Sequence, residues 1–199
     1  MSNSSTDPKI LTSLHGRELG LNKARNLVAP SGFISGPGVS AGAGITSGTG
    51  NVFRSSVIRI DNIIRTQIFV DLTGLASTTT DLDIIGVGSD PAYLGQITTA
   101  VNGHIFAGRM GCCEVPTGGV TDIDLYAATE GTGAYDAGIA TLAETALVTA
   151  GGAWTRTSKA LTALPVADAY LYLTSGAAGT AATYTGGRFV IELDGYVDV

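Results

Sequence analysis

Residues 57–99 read VIRIDNIIRTQIFVDLTGLASTTTDLDIIGVGSDPAYLGQITT, and this stretch decides the fold class. Its first half alternates apolar with polar residues at every second position, which is the signature of half-buried β-strands. The apolar members of this alternation are Ile58, Ile60, Ile68, Val70 and Leu72. Asp61-Asn62 separates the two runs and predicts a tight turn between antiparallel strands. A third strand is expected over residues 82–87.

The chain beyond residue 52 continues in the same manner. Strands are expected near residues 53–60, 63–72, 82–87, 95–101, 104–115, 121–128, 145–149, 169–175 and 187–197. Short strands joined by loops rich in Gly, Thr and Ala are typical of a β-sandwich or barrel. The best helical candidate is the short stretch 142–147. The pattern therefore predicts an all-β body over residues 52–199.

The C-terminal segment alternates most clearly. One face carries Phe189, Ile191 and Leu193, and the other carries Val190, Glu192 and Asp194. A terminal strand with one fully apolar face is normally paired within a sheet. We therefore expect Phe189, Ile191 and Leu193 to lie in the core.

Residues 1–51 differ in composition from the rest. Residues 29–51 are rich in Gly, Ser, Ala and Pro, with single apolar residues that include Phe33 and Ile34. Residues 1–54 carry a net charge of +3, against −9 for residues 55–199. Two interpretations remain open: a solvated leader, or a separable arm that becomes ordered against a partner. The regular spacing of the apolar residues favours the arm.

The composition also bounds the function. Only 14% of the residues are charged, and the chain contains 28 glycines. This balance suits a protein held in an assembly. An acidic body without a basic, aromatic-lined stripe disfavours nucleic-acid binding. Apolar runs are too short to cross a membrane, and the N-terminus does not have the pattern of a signal peptide.

The residues that carry most enzyme chemistry are sparse. The two histidines, His15 and His104, lack Cys or His neighbours at metal-ligand spacing. The chain contains neither a nucleophile elbow nor a phosphate-binding P-loop. The adjacent Cys112 and Cys113 should point to opposite faces of a strand, so one of them is expected to be core. We therefore expect no catalytic residues and no cofactor.

A repeated acidic motif is the one candidate ligand site. Asp81-x-Asp83 is echoed about 41 residues later by Asp122-x-Asp124. Alternate carboxylates on one strand face are weak candidates for Ca²⁺ ligands. The favoured alternative is that these aspartates cap turns at strand ends.

Two phrases carry a resemblance to a known class of protein. Residues 119–155 read GVTDIDLYAATEGTGAYDAGIATLAETALVTAGGAWT, and residues 170–196 read YLYLTSGAAGTAATYTGGRFVIELDGY. Together with the rest of residues 57–196, they resemble small virion structural proteins of tailed bacteriophages, especially those of marine and cyanobacterial hosts. The resemblance lies in the overall composition and in the wording of these segments of sequence, and it includes no catalytic motif.

The resemblance implies a jelly-roll-like β-sandwich that decorates and cements the phage head. The implied partners are the major capsid protein and further copies of the chain, in a homotrimer on the capsid exterior after assembly in the host cytoplasm. If the chain has this function, the basic and apolar residues of the arm are its expected capsid contacts, namely Arg17, Lys23, Arg25, Phe33 and Ile34. Two alternatives stay open: a head-fibre or tail component that binds host glycans through exposed aromatic residues, and a calcium-dependent carbohydrate-binding module.

Overall fold

The structure is a computed structural model, and it describes residues 34–197. About half of this range is β-strand, in antiparallel sheets with only short helical pieces, which confirms the all-β prediction. The strands are β1 (Ile34–Pro37), β2 (Val52–Ile60), β3 (Ile63–Asp71), β4 (Ala76–Ser77), β5 (Gly95–Ile97), β6 (His104–Thr117), β7 (Ile123–Ala128), β8 (Glu144–Val148), β9 (Ser158–Ala160), β10 (Ala169–Ser175), β11 (Ala182–Thr183) and β12 (Gly186–Tyr196). The helical pieces are α1 (Ala43–Thr46), α2 (Thr99–Asn102) and a 3-10 turn (Ile139–Leu142).

Two main sheets form the body. The larger has six strands in the order β1-β2-β3-β12-β6-β9, and the smaller has four in the order β5-β10-β7-β8. Strands β4 and β11 form a separate two-stranded pair. From β3 onward the chain passes between the main sheets at nearly every connection, while the β7–β8 connection stays within the smaller sheet. The sheets are therefore interleaved along the sequence.

The β2–β3 hairpin forms where the sequence predicts it. Ile60 pairs with Ile63, so Asp61 and Asn62 make a two-residue loop. Asp61 adopts a φ of 55°, in the left-handed region that short hairpin loops require and that Asp tolerates. Ile60 itself is exposed, because it lies on the face of the hairpin that is turned away from the core.

Strand β12 occupies the centre of the larger sheet. It pairs with β3 on one side and with β6 on the other. Phe189, Ile191 and Leu193 are fully buried, which confirms the predicted core face. The ring of Phe189 meets that of Trp154 edge-on, with centroids 5.4 Å apart. The C-terminal strand thus anchors the core.

Both main sheets contribute to one hydrophobic core. Ile68 and Val70 from the larger sheet and Leu125 and Leu173 from the smaller belong to the same buried cluster. Large aromatic residues lie in it as well, with their polar atoms satisfied by the backbone. Trp154 Nε1 donates to the Ile123 carbonyl at 2.7 Å. The core therefore combines small aliphatic residues with a few hydrogen-bonded aromatic ones.

Part of the expected arm belongs to the body. Strand β1 pairs with β2, and Ile45 of α1 is fully buried in the core. The Gly42 N–H donates to the Tyr93 carbonyl at 2.9 Å, and the Val87 N–H donates to the Gly44 carbonyl at 2.8 Å. Residues 34–51 thus join the edge of the larger sheet to the loops between β4 and β5. Residues 1–33 lie outside the described residues.

The predicted strand over residues 82–87 does not form. Ile84 and Ile85 are both fully buried, but no continuous ladder of strand pairing runs through them. Leu82 adopts a left-handed φ of 66°, and Asp83 and Ile84 make only isolated bridges. This segment is a core-packing loop with irregular backbone pairing.

Two other boundaries differ from prediction. The strand expected over residues 95–101 ends at Ile97, because Thr98 caps α2 by accepting a hydrogen bond from the Val101 N–H. The helical stretch expected over residues 142–147 is wrong. The left-handed Ala143 ends a 3-10 turn, and β8 begins at Glu144.

Candidate functional site

The two acidic motifs lie on either side of the end of β10. The Ser175 N–H donates to the Asp83 carbonyl at 2.9 Å, and the Gly176 N–H donates to the Asp122 carbonyl at 2.9 Å. The two motifs therefore flank one strand. Their contacts with β10 are not equivalent, because Asp83 is the second aspartate of its motif and Asp122 is the first.

The carboxylates of Asp83 and Asp124 have protein partners, whereas the buried Oδ1 of Asp122 has no hydrogen-bond partner among the described residues. Asp83 accepts from the Thr78 hydroxyl at 2.9 Å, and Asp124 accepts from the Ala150 N–H at 2.6 Å. Burial raises the pKa of Asp124, and the nearby charges of Asp122 and Asp81 raise it further. Among residues 34–197, no group of three or more Asp, Glu, His or Cys side chains is placed to hold a metal ion. The contacts of Asp83 and Asp124 fit the turn-capping alternative.

A lysine supplies positive charge beside this acidic pair. Lys159 lowers the pKa of both Asp122 and Asp124 by Coulomb attraction, although burial, the larger effect, still leaves both values raised. Its Nζ donates to the Ala150 carbonyl and lies 5.3 Å from the centroid of the Trp154 ring. This cluster ties the loop after β8 to β7 and β9.

The cysteines and the body histidine are placed as follows. Cys112 is buried, and burial raises the pKa of its thiol, whereas Cys113 is exposed. The prediction that one cysteine belongs to the core is therefore confirmed. His104 begins β6 and lies beside Tyr196, with ring centroids 5.3 Å apart.

Most of the expected arm contacts cannot be placed. Arg17, Lys23, Arg25 and Phe33 lie outside the described residues, as does His15. Ile34 is the first residue of β1, where it pairs with Arg59 of β2. The described chain therefore begins in β1, at the edge of the larger sheet and next to β2.

The outer face of the larger sheet, the side turned away from the core, carries a lattice of paired charges. Arg65 Nε lies 2.8 Å from an Asp194 carboxylate oxygen. Gln67 and Arg109 both donate to the Glu192 carboxylate. At the far end, Arg188 lies 2.8 Å from Asp71 and 3.1 Å from Glu114. The participants are Arg65, Gln67, Asp71, Arg109, Glu114, Arg188, Glu192 and Asp194.

This lattice contributes little to folding stability. Exposed ion pairs are typically worth about 0–1 kcal/mol, and the arginines of the lattice remain more than half exposed. Asp71 differs because it is buried. Burial alone would raise its pKa, but hydrogen bonds from Thr73 and Arg188 outweigh this effect and lower the pKa below its ordinary value. Most of the lattice is thus available to a partner.

Two shallow grooves run along β6 on either side of Arg109. One, of about 400 Å³, lies between Arg65 and β9 and has Ala107 and Gly108 among its lining residues. The other, of about 470 Å³, is lined by Gly111, Cys113 and Arg156. Small residues on β6 create these grooves because they leave the neighbouring arginine side chains standing above the sheet.

Charge is distributed unequally around the body. The described residues contain seven Lys and Arg and fourteen Asp and Glu. Five of the seven cations lie on the outer face or line its grooves, namely Arg54, Arg65, Arg109, Arg156 and Arg188. Only four acids lie there, namely Asp71, Glu114, Glu192 and Asp194. The outer face is therefore nearly balanced in charge, and the rest of the body is strongly acidic.

An apolar row crosses one end of the outer face. We define it as Ile60, Ile63, Tyr196, His104 and Phe106. Strand register aligns Ile60 with Ile63, Ile63 with Tyr196, and Tyr196 with His104. Sequence reasoning missed this row. The alternation of Ile58 and Ile60 predicted a half-buried strand, but it did not reveal that their face is turned to solvent.

The features available to a partner are the grooved outer face and the apolar row. No helix within residues 34–197 has the length and apolar character needed to span a membrane. No family model, curated protein or solved structure matched the chain.

Proposed function

We propose that this chain is a non-enzymatic structural protein of a tailed-phage virion, which binds the assembled head as a decoration or cement protein. The observation that carries the proposal is the outer face: a broad, grooved, charge-balanced surface on an otherwise acidic body. The resemblance of residues 57–196 to small virion proteins supports the same proposal.

We also propose that the body is a jelly-roll-like sandwich. Strands β3, β12, β6 and β9 form four neighbouring members of the larger sheet, and β5, β10, β7 and β8 form the smaller sheet. These eight strands, with successive crossings between sheets, have the arrangement expected of two Greek keys in a jelly roll. Many unrelated functions use this architecture, so it supports the virion proposal only as a compatible scaffold.

In this proposal the outer face lies against the major capsid protein. The acidic remainder of the body would face away, because it would be repelled by an acidic shell. Residues 1–33 would leave the body at the β1 edge of the same sheet, which lets Arg17, Lys23 and Arg25 reach neighbouring coat subunits. Binding that favours the assembled shell raises its apparent stability, and many copies, arranged as homotrimers, add avidity.

The test is co-sedimentation with phage heads that lack the protein. Wild-type chain should pellet with heads and raise their melting temperature. Arg65→Glu together with Arg109→Glu should weaken binding by at least about tenfold, because two cations at the centre of the contact become acids. Glu130→Lys, an exposed charge change away from the outer face, is the matched control. Equal binding by all three proteins, or no binding by wild type, would overturn the proposal.

The glycan-binding alternative has a narrower basis. The aromatic residues Tyr126, Trp154, Tyr172 and Tyr184 are buried, as expected of core packing. The exposed aromatic side chains that remain on the outer face are Phe106 and Tyr196. Saturable binding to a glycan array, lost in Tyr196→Ala and absent for heads, would favour this alternative. Loss of that binding on calcium removal would favour a calcium-dependent module.

A further inference from the structure

The apolar row is exposed to an unusual degree for packed strands. The exposed fractions are 54% for Ile60, 44% for Ile63, 49% for Phe106 and 41% for Tyr196. These are four of the eight large apolar side chains exposed in the described chain. A contiguous exposed apolar patch bordered by charged residues is characteristic of an interaction site.

The row is continuous across four strands. Adjacent strands lie about 4.8 Å apart, so the row spans roughly 14 Å from β2 to β6. The ring of Tyr196 lies against His104 and 6.4 Å from the centroid of Phe106. A partner would therefore meet a connected surface of aliphatic and aromatic groups.

The row also leads into a cleft at the end of the sheet. This cleft has a volume of about 270 Å³ and shares His104 with the row. Its other lining residues are mostly apolar or small: Ile97, Thr99, Gly103, Ile105, Pro165, Val166 and Ala167. The cleft is large enough to receive a leucine side chain, and few of its lining groups demand a polar partner.

The described chain begins next to this surface. Ile34 pairs with Arg59, the immediate neighbour of Ile60. An extended chain covers about 3.3–3.6 Å per residue, so the six intervals from Ile34 back to residue 28 reach roughly 20–22 Å. The far end of the row, on β6, lies four strand spacings or roughly 19 Å from β1. Residue 28 can therefore lie anywhere along the row while the chain remains joined to β1.

The residues upstream have the composition that this surface would bind. Residues 10–28 contain seven large apolar side chains: Ile10, Leu11, Leu14, Leu19, Leu21, Leu27 and Val28. Residues 1–33 also carry four basic and two acidic residues, against the acidic balance of residues 34–197. Coulomb attraction draws the segment to the body as a whole, whereas on the nearly balanced outer face its docking depends on apolar contact.

We propose that residues 10–28 of this chain bind the apolar row, with a leucine side chain in the adjoining cleft. Docking removes leucines of the segment and Ile60, Ile63, Phe106 and Tyr196 from water together. The segment comes from the same chain, because Ile34 joins it to the sheet directly beside Ile60. The inference concerns the free protein and holds whether or not the chain binds a phage head.

The test is amide hydrogen exchange of the full chain, followed by mass spectrometry. In the wild type, amides within residues 10–28 should exchange more slowly than in a free peptide of the same sequence. Ile63→Ser with Phe106→Ser should accelerate their exchange by about tenfold or more. Val115→Ser is the matched control, because Val115 is an exposed apolar residue on the same strand as Phe106 but toward its other end.

The reciprocal variant reports on the body. Leu14→Ser with Leu19→Ser should accelerate exchange in residues 60–63 and 104–106, while the melting temperature stays that of a folded body. Protection that is independent of protein concentration supports docking within one chain, whereas protection that increases with concentration would overturn it. Free-peptide exchange rates in the wild type, or equal protection in the row and control variants, would overturn the proposal.

Discussion

At the scale of single residues, substitutions on the two faces of β12 should differ sharply in how much they lower the free energy of unfolding. Phe189 is fully buried against Trp154, and truncating a buried Phe to Ala typically costs about 3–5 kcal/mol. Phe189→Ala should therefore remove much of the roughly 5–15 kcal/mol that stabilises a typical domain. Ile191→Asp should cost more, because it buries a carboxylate without a partner.

Glu192→Ala provides the control on the opposite face of the same strand. It removes hydrogen bonds to Gln67 and Arg109 at the surface, so its cost should stay within about 1 kcal/mol. Chemical denaturation of the three variants measures these differences. A cost for Glu192→Ala equal to that of Phe189→Ala would mean that the outer face is covered as thoroughly as the core.

The buried acids predict a particular pH dependence. Burial raises the pKa of Asp124 above its ordinary 3.8, so the folded state holds this proton more tightly than the unfolded chain. Its contribution to stability therefore increases as pH falls toward 3.8, and at neutral pH its ionised form is a cost. Asp124→Asn keeps an acceptor for the Ala150 N–H and should be at least as stable as wild type at pH 7.

Asp71 provides the comparison, because its pKa is shifted in the direction opposite to that of Asp124. Its pKa is lowered, so its contribution is fully present above about pH 3.8 and is lost as pH falls through the folded value. Asp71→Asn should therefore lose stability at pH 7. Denaturation midpoints at pH 7 and 4.5 compare the two variants. A loss at pH 7 for Asp124→Asn as large as for Asp71→Asn would contradict this assignment.

At the scale of elements, the segment from β1 through α1 behaves as part of the body. Val39 and Ile45 are buried, and backbone hydrogen bonds tie Gly42 and Gly44 to the loops between β4 and β5. Deleting residues 1–33 should leave a cooperatively folding protein. Deleting residues 1–51 should cost at least about 2–5 kcal/mol, the typical effect of emptying one large aliphatic site, which is enough to unfold a marginally stable domain.

Point variants in the full chain distinguish the loss of a buried core side chain from the loss of an exposed side chain on the apolar row. Ile45→Ala should cost about 2–5 kcal/mol, whereas Ile60→Ala, on the exposed apolar row, should cost far less. Circular dichroism melts of the deletions and the two variants measure these effects. Equal melting temperatures for the two deletions would show that residues 34–51 form a separable arm after all.

At the scale of the whole molecule, the body presents two electrostatically different sides. Pairing on the outer face places Arg65, Arg109 and Arg188 among carboxylates, while most other acids lie elsewhere. A molecule with this asymmetry approaches an acidic surface with its outer face first. The same face carries both grooves and the apolar row, so the proposed capsid attachment and the proposed segment docking would use adjoining parts of one sheet.

The strands could be predicted where local alternation coincides with burial. In β3 and β12 every second residue points into the core, so Ile68, Val70, Phe189 and Ile191 revealed both the strand and its buried face. The Asp61-Asn62 turn could be predicted equally well, because its backbone requirement is local. The irregular backbone of segment 82–87 could not be predicted, because the burial of both Ile84 and Ile85 depends on neighbours from distant parts of the chain.

The sequence by itself determined the all-β class, the central hairpin and the buried face of the last strand, since each follows from a period or a turn over a few residues. Only the tertiary structure decided the role of the glycines in residues 38–51. A Cβ on Gly42 would lie 2.1 Å from the Pro91 carbonyl oxygen, and one on Gly44 would lie 2.4 Å from that of Asp90. A composition that suggested a linker instead allows two backbones to approach closely. The sequence shows that a glycine has no side chain, but only the fold shows which neighbouring backbone occupies the space that a side chain would fill.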